Sequence, residues 1–205
     1  QVFTVDAPRL GTRERDERNS FKMPDNLKLG NFIGTKFEDF NKIENYEGSS
    51  MSIHSDHLFD PTLTFDVIGW IKETSKLPVL VKGILRPDDA QKAISSGADG
   101  IIISNHGGRQ LDTAVPTLKQ IEPIRKQVGN QTLIIVDGGI RRGTDILKCI
   151  ALGANAVQIG RPILWGLNYG GQEGIELVLN IINNEFTESM ILSGCRNIQE
   201  IDRDL

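Results

Sequence analysis

Short apolar, β-branched runs alternate along this chain with longer stretches in which apolar positions recur every three to four residues. The runs at Val2–Val5, Val79–Val81, Gly100–Ile103, Leu133–Val136 and Ala156–Ile159 predict strands. The longer stretches predict helices at Thr64–Thr74, Pro87–Ser96, Pro116–Val128, Thr144–Leu152 and Gln172–Leu192. Pro87 and Pro116 suit first-turn positions, and Gly97 and Gly153 suit helix C-terminal caps. "SSGADG" and "ALGANA" both read as helix–Gly–Ala–strand connections, so the βα unit repeats. Alternation of this kind implies parallel strands covered by helices.

One segment breaks the rhythm. Residues 7–62, directly after the first strand, are polar, interrupted by Gly, Pro and Asn, and without periodicity, which predicts a functional loop, a lid or a disordered segment. His54 and His57 fall within it. Their spacing would suit a metal, but no Cys or third His is near in sequence, so solvated loop histidines are the favoured reading and no metal is assigned.

The polar residues that carry chemistry follow the strands. Lys82-Gly83 comes after Val81, and "SNHGGR" (Ser104 to Arg109) after Ile103. "DGGIRRG" comes after Val136 and "GRPILWG" after Ile159. In a (β/α) barrel the loops after the strand C-termini share one mouth, whereas an open doubly wound sheet would spread them along an edge. A barrel is therefore the predicted fold. The three isoleucines before Ser104 read as a strand buried on both faces. A structural turn could use Gly107-Gly108, yet it has no need of His106 and Arg109 beside them.

The last two clusters predict a phosphate site. Gly138-Gly139 and an arginine stand just before a helix start, where backbone N–H groups and the helix dipole favour an anion. Gly160 and Arg161 add another N–H and a charged donor. A tight turn and a surface ion pair are the bland alternatives, less economical at two adjacent barrel positions than one shared phosphate.

Composition narrows the class. The 205 residues are 39% hydrophobic and 24% charged, ordinary for one globular domain. A net charge of −4 argues against nucleic acid as the main partner, and the basic runs "RLGTRER" and "GGIRRG" read as solvated surface unless their neighbours promote them. Cys149 and Cys195 form no disulfide framework and read as reduced thiols of an intracellular protein. No apolar run reaches membrane-spanning length, and no secretory signal pattern is present. Trp70 and Trp165 are expected in the core, and Asp112 is expected to cap the next helix or brace its loop.

Taken in order, "TVDAPRLGTRERDERNSF", "DPTLTFDVIGWI", "LPVLVKGIL", "GIIISNHGGRQLD", "VDGGIRRGTDILKCIALGANAVQIGRP" and "ILSGC" resemble the FMN-dependent 2-hydroxy acid oxidases and dehydrogenases, the glycolate oxidase type, over nearly the whole chain. The resemblance implies an α/β fold of (β/α)8 TIM-barrel type, this chain covering about the last five βα units. It implies FMN as cofactor, with oxidation of an (S)-2-hydroxy acid to the 2-oxo acid and O2 or another acceptor taking the electrons. His106 would be the catalytic base, Asp6 the carboxylate that stabilises its charged form, and Arg109 and Arg13 the substrate-carboxylate ligands. Lys82 would sit beside the flavin, and Thr4 and Ser104 would touch its ring. Asp137, Gly138, Gly139, Ile140, Arg141, Gly160 and Arg161 would hold the ribityl and phosphate groups. A homo-oligomer, tetrameric in the family, and a peroxisomal location follow from the resemblance as well, without a clear targeting signal in "IDRDL".

Family members are considerably longer. Residues 1–205 are expected to be one FMN hydroxy acid dehydrogenase domain lacking its first strands, since the chain opens in mid-strand at Gln1; Tyr46 and Tyr169 do not stand where the family places its substrate tyrosines. Five βα units cannot close an eight-stranded barrel. A partial record of an active oxidase is the favoured reading; a short, non-catalytic chain associating with full-length subunits, or another FMN-binding barrel enzyme such as a flavin-dependent isomerase, are the alternatives.

Overall fold

Parallel pairing joins all five strands in the order in which they occur along the chain. The structure is a computed structural model that describes residues 1–22, 24, 26–27, 30–35 and 59–205. The strands are β1 (Val2–Thr4), β2 (Leu80–Ile84), β3 (Gly100–Ile103), β4 (Leu133–Val136) and β5 (Ala156–Val157). A sheet without reversal of strand order has no doubly wound switch point, so this topology is of the barrel kind.

Register fixes which side chains share a face. Thr4, Lys82, Ile102, Ile135 and Ala156 are in register across the five strands. Because side chains alternate along a strand, the neighbouring set Val81, Ile101, Ile103, Ile134 and Val136 points the other way. That second set is fully buried and forms the core, together with Ile68, Ala90, Ala93, Ile121, Ile124 and Cys149 from the helices. Each isoleucine so buried contributes roughly 1.5–3 kcal/mol. The helices are therefore packed on one face of the sheet, and the Lys82 face is left for the site.

The covering helices are numbered after a short α1 (Glu14–Arg18), which belongs to the separate unit described below. They are α2 (Val67–Ser75), α3 (Pro87–Ser95), α4 (Leu118–Val128), α5 (Gly143–Ala151) and α6 (Arg161–Leu192). Pro87 occupies the first turn of α3 as predicted, where its missing N–H costs no bond. Gly97 and Gly153 lie one residue past the caps of α3 and α5 at φ of +99° and +106°. Pro116, by contrast, lies two residues before α4 rather than in its first turn. Asp112 does not cap that helix; its Oδ1 accepts from the N–H of Thr113 at 2.8 Å.

The last helix differs most from expectation. It starts at Arg161, eleven residues before the predicted Gln172, and is broken at Gly170 and Gly171. Gly166, Gly170, Gly171 and Gly174 lower the helix propensity of this stretch, which hides its first segment from a propensity reading. Trp70 and Trp165 are 65% and 54% exposed, so the expected core placement is wrong for both. They lie on the solvent sides of α2 and α6. Cys149 and Cys195 are free and buried.

The chain divides into two units, Gln1–Asp6 with Leu63–Leu205, and Ala7–Thr62. Among its described residues the second contains α1 and a 3-10 turn, Gly30–Phe32, so part of the predicted loop is helical. α1 carries acidic residues in its first turn and basic ones in its last, as the helix dipole favours. His54, His57 and Tyr46 lie outside the described residues. No helix among the described residues is long and apolar enough to cross a membrane.

Candidate active site

The polar residues of the inner sheet face stand at its C-terminal end. Lys82 lies within β2 rather than after it: a register irregularity between Lys82 and Ile84 puts Gly83 in a bulge and lets the strand run on. Lys82 Nζ donates to Ser104 Oγ at 2.9 Å and pairs with Asp137 Oδ2 at 3.2 Å, so residues just beyond β3 and β4 hold the ammonium carried by β2. Ser104 is fully buried, and its Oγ also accepts the N–H of His106 at 3.0 Å.

His106 begins a left-handed turn. Its φ is +54°, followed by Gly107 at +65° and Gly108 at +72°. A non-glycine residue in that region is unusual, and such strain clusters at functional sites. Asn105 holds the turn by accepting the Gly107 N–H on Oδ1 at 3.1 Å, while its amide donates to the Val115 carbonyl. The imidazole Nδ1 lies 3.0 Å from Asp6 Oδ1, with both side chains largely buried. Gln110 donates to the Asp6 carbonyl at 3.2 Å, tying the far side of the same loop to the same residue.

Two glycines make this geometry possible. A Cβ on Gly83 would stand 2.6 Å from Asp6 Cβ and Cγ, so the carboxylate reaches His106 only across a residue without a side chain. A Cβ on Gly138 would stand 2.6 Å from Asn105 Oδ1. Both also have positive φ, at +104° and +89°.

Beside these groups lies a cleft of about 660 Å³, within the range usual for small-molecule sites. Its lining includes Lys82, Arg109, Arg141 and Arg161 but one carboxylate, Asp137. A chain of net charge −4 thus presents a cationic cleft, a field that draws anions. Gly138, Gly139, Ile140 and Gly160 line it too, and Gly139 and Gly160 have open space where a Cβ would be. Among the described residues, two buried side-chain oxygens have no hydrogen-bond partner, Asp6 Oδ2 and Asp137 Oδ1.

The structure sorts the two arginines of "GGIRRG". Arg142 turns away and pairs through Nε with both carboxylate oxygens of Glu185, at 2.8 and 3.0 Å, locking α5 to α6. Arg141 lines the cleft and lies 5.7 Å from the centroid of the Trp165 ring. Arg161 is the first residue of α6, and its Nη2 donates to the Gly107 carbonyl at 2.9 Å, so it braces the His106 turn.

Of the predicted site residues, the structure gathers Asp6, Lys82, Ser104, His106 and Asp137 through direct contacts. It places Arg109, Gly138, Gly139, Ile140, Arg141, Gly160 and Arg161 on the cleft wall. Thr4 lies in β1 in register with Lys82. Arg13 belongs to the Ala7–Thr62 unit, where its guanidinium donates to the Gly11 carbonyl at 2.8 Å. Tyr169 is 83% exposed in α6. Sequence reasoning missed the spacing role of Gly83 and the bracing role of Asn105. It also missed Thr117, whose hydroxyl donates to the Asp137 carbonyl. Nothing in the local sequence marks Gly83 or Thr117, because each acts across strands, whereas the bonds of Asn105 stay within its own loop.

Five βα units in sequential order, with a cationic cleft and a His–carboxylate pair at the strand C-termini, define a barrel-type candidate site. The family model described as FMN-dependent dehydrogenase matches residues 1–205, and the chain belongs to that family. A 2-hydroxyacid oxidase of Dictyostelium discoideum is 48% identical over 204 residues, which are 100% of this chain and 51% of that protein. A peroxisomal (S)-2-hydroxyacid oxidase of Arabidopsis thaliana is 43% identical over 203 residues, 99% of this chain and 54% of that one. Among solved structures, mandelate oxidase with (S)-4-hydroxymandelic acid matches at 40% identity with a TM-score of 0.87, covering 98% of this chain and 56% of that one. The fold is thus of the (β/α)8 barrel type, and the chain spans about half the length of the curated relatives it matches.

Proposed function

We propose that the protein carrying this chain oxidises a small (S)-2-hydroxy acid, of glycolate or lactate size, to the 2-oxo acid, with FMN as redox group and O2 as electron acceptor, giving hydrogen peroxide. The observation that carries this reading is the His106–Asp6 pair at 3.0 Å, set over the same Ser104 that fixes the Lys82 ammonium. Residues 1–205 are read as one part of an FMN hydroxy acid dehydrogenase domain. Peroxisomal residence is supported by the name of the Arabidopsis relative.

The cleft fits FMN in charge and in size. Arg141 and Arg161 with the open backbone at Gly139 and Gly160 suit a phosphate. The unpartnered buried Asp137 Oδ1 suits a ligand hydroxyl donor. Lys82 is a fixed positive charge where negative charge would develop on a reduced ring. Bound there, FMN supplies two-electron oxidation of the substrate α-carbon and transfer of those electrons to O2.

The chain's own residues do the rest. With Nδ1–H donated to Asp6, the lone pair of His106 is on Nε2, free to accept the proton that leaves the substrate. The Asp6 carboxylate favours the imidazolium that forms. Arg109, at the cleft wall beside His106, suits the substrate carboxylate; a second carboxylate contact from Arg13 is proposed on the family resemblance alone. Ser104 and Asp137 keep Lys82 from swinging into solvent.

The test is anaerobic reduction of the bound flavin by glycolate or lactate, followed by visible absorption. His106→Ala is expected to retain FMN while reduction slows about 10²–10⁴-fold, the usual worth of a general base. Undiminished reduction in that variant refutes the base assignment. A wild-type protein that binds FMN but is reduced by no 2-hydroxy acid refutes the function, and points to another flavin barrel enzyme.

A further inference from the structure

We infer that Thr117 is a positioning residue that sets the Asp137–Lys82 pair from behind the sheet; the inference rests on the flavin-site reading above. Thr117 immediately precedes α4 and is 2% exposed. A threonine at a helix start ordinarily accepts an N–H of its own first turn, yet this one makes no such cap. Its hydroxyl instead donates to the Asp137 carbonyl at 2.7 Å, with the Gly138 carbonyl at 3.3 Å. Those acceptors lie 20 and 21 residues away, at the end of the neighbouring strand.

One hydroxyl proton cannot satisfy both carbonyls equally, so the shorter contact, to Asp137, governs the geometry. The methyl group of Thr117 lies 3.4 Å from where a Cβ of Gly138 would stand, so it also limits backbone movement there. From Asp137 the contacts run on without a gap. Its carboxylate pairs with Lys82 Nζ at 3.2 Å, Lys82 donates to Ser104 Oγ at 2.9 Å, and Ser104 accepts the N–H of His106 at 3.0 Å. The loop after β3 thus anchors the loop after β4 at both ends of this path, by Thr117 outside the cleft and by Ser104 within it. Asp137 has no other described side-chain partner than Lys82, and its Oδ1 is unsatisfied. Its aim therefore depends on how its backbone is held.

Removing the Thr117 hydroxyl frees the Asp137 peptide, and the carboxylate no longer fixes Lys82 at one distance from the ligand in the cleft. The consequence falls on the electronic state of the flavin and on substrate oxidation, not on capture of the substrate carboxylate, which other residues perform. Thr117→Val keeps the shape and removes the donor; Thr117→Ser keeps the donor and removes the methyl.

Three measurements on the protein carrying this chain decide the matter. In FMN-free protein, amide hydrogen exchange across residues 137–142 is expected to accelerate about tenfold in Thr117→Val and to return toward wild type in Thr117→Ser. In FMN-loaded protein, the preference for reduced over oxidised flavin is expected to fall about tenfold in Thr117→Val, a drop of about 30 mV for two electrons. kcat should fall with it while KM for the hydroxy acid stays within about twofold. Loss of thermal stability with unchanged exchange, potential and kcat overturns the inference and leaves Thr117 a packing residue. Failure of wild type to be reduced by any 2-hydroxy acid refutes the function instead. The exchange measurement needs no flavin: acceleration there still supports the positioning role, and unchanged exchange refutes it.

Discussion

Replacing Gly83 by alanine tests whether the Asp6–His106 pair does what its geometry implies. The added methyl would stand 2.6 Å from Asp6 Cβ and Cγ and 2.8 Å from Oδ1, well inside van der Waals contact. Gly83 also has φ +104°, where an L side chain adds strain of about 1–2 kcal/mol. Neither β2 nor its neighbours can give way, since Val81 and Ile84 on either side are buried in the core. Asp6, two residues beyond β1, is the group that moves. Its carboxylate then loses Nδ1 of His106, now at 3.0 Å. A hydrogen bond to a charged group contributes about 1.5–3 kcal/mol, and each 1.4 kcal/mol is about a factor of ten. Flavin reduction by substrate should therefore slow about 10- to 100-fold in Gly83→Ala, with FMN still bound. Rapid-mixing absorbance under anaerobic conditions reads the rate, and urea unfolding reads the accompanying stability loss. Asp6→Asn should slow the same step, and the double variant should be no slower than the worse single one, because both act through one contact. Additive slowing in the double variant, or wild-type reduction in Gly83→Ala, would refute the reasoning.

Two further predictions concern groups away from the cleft. Asp99 accepts from Lys72 Nζ at 2.6 Å and from the Val79 N–H at 2.8 Å, and these bonds hold its carboxyl below the usual range. Its stabilisation is complete above the unfolded pKa of about 3.9 and is lost as pH falls through the lower folded value. Asp99→Asn should cost about 1 kcal/mol at neutral pH, solvent screening of this half-exposed pair included, and the deficit should vanish in acid urea titrations. Burial, reinforced by the Asp145 carboxylate, pushes the Cys149 thiol up to about 11. Thiol reagents at pH 8 should label it at least about 100-fold more slowly in the native than in the unfolded protein. Between roughly pH 9 and 11 the unfolded state ionises first, so wild type should lose stability relative to Cys149→Ala across that window. Equal labelling rates, or parallel stability curves, would show the thiol to be accessible.

What the sequence determined by itself was local. The run Gly100–Ile103 and the run Leu133–Val136 form strands with the predicted ends, because continuous β-branched residues bounded by glycine or polar groups leave little choice. Pro87 and Gly97 bound α3 for reasons contained in their own φ preferences. Most candidate site residues were legible for a related reason: polar residues and glycines placed directly after apolar strands converge once the strands are parallel. Tertiary structure decided what depends on neighbours distant in the chain. Whether Lys82 ends β2 or lies inside it turned on the Gly83 bulge against β3. Which arginine of the 141–142 pair faces the cleft turned on Glu185, 43 residues away from Arg142. Trp70 and Trp165 were assigned to the core from size alone, and the helix faces that carry them point to solvent. Gly83, Asn105 and Thr117 gain their meaning from a carboxylate, a glycine and a carbonyl on other strands. Periodicity and capping propensity act over a few residues, whereas hydrogen bonds and close approaches between strands exist only after the sheet has assembled.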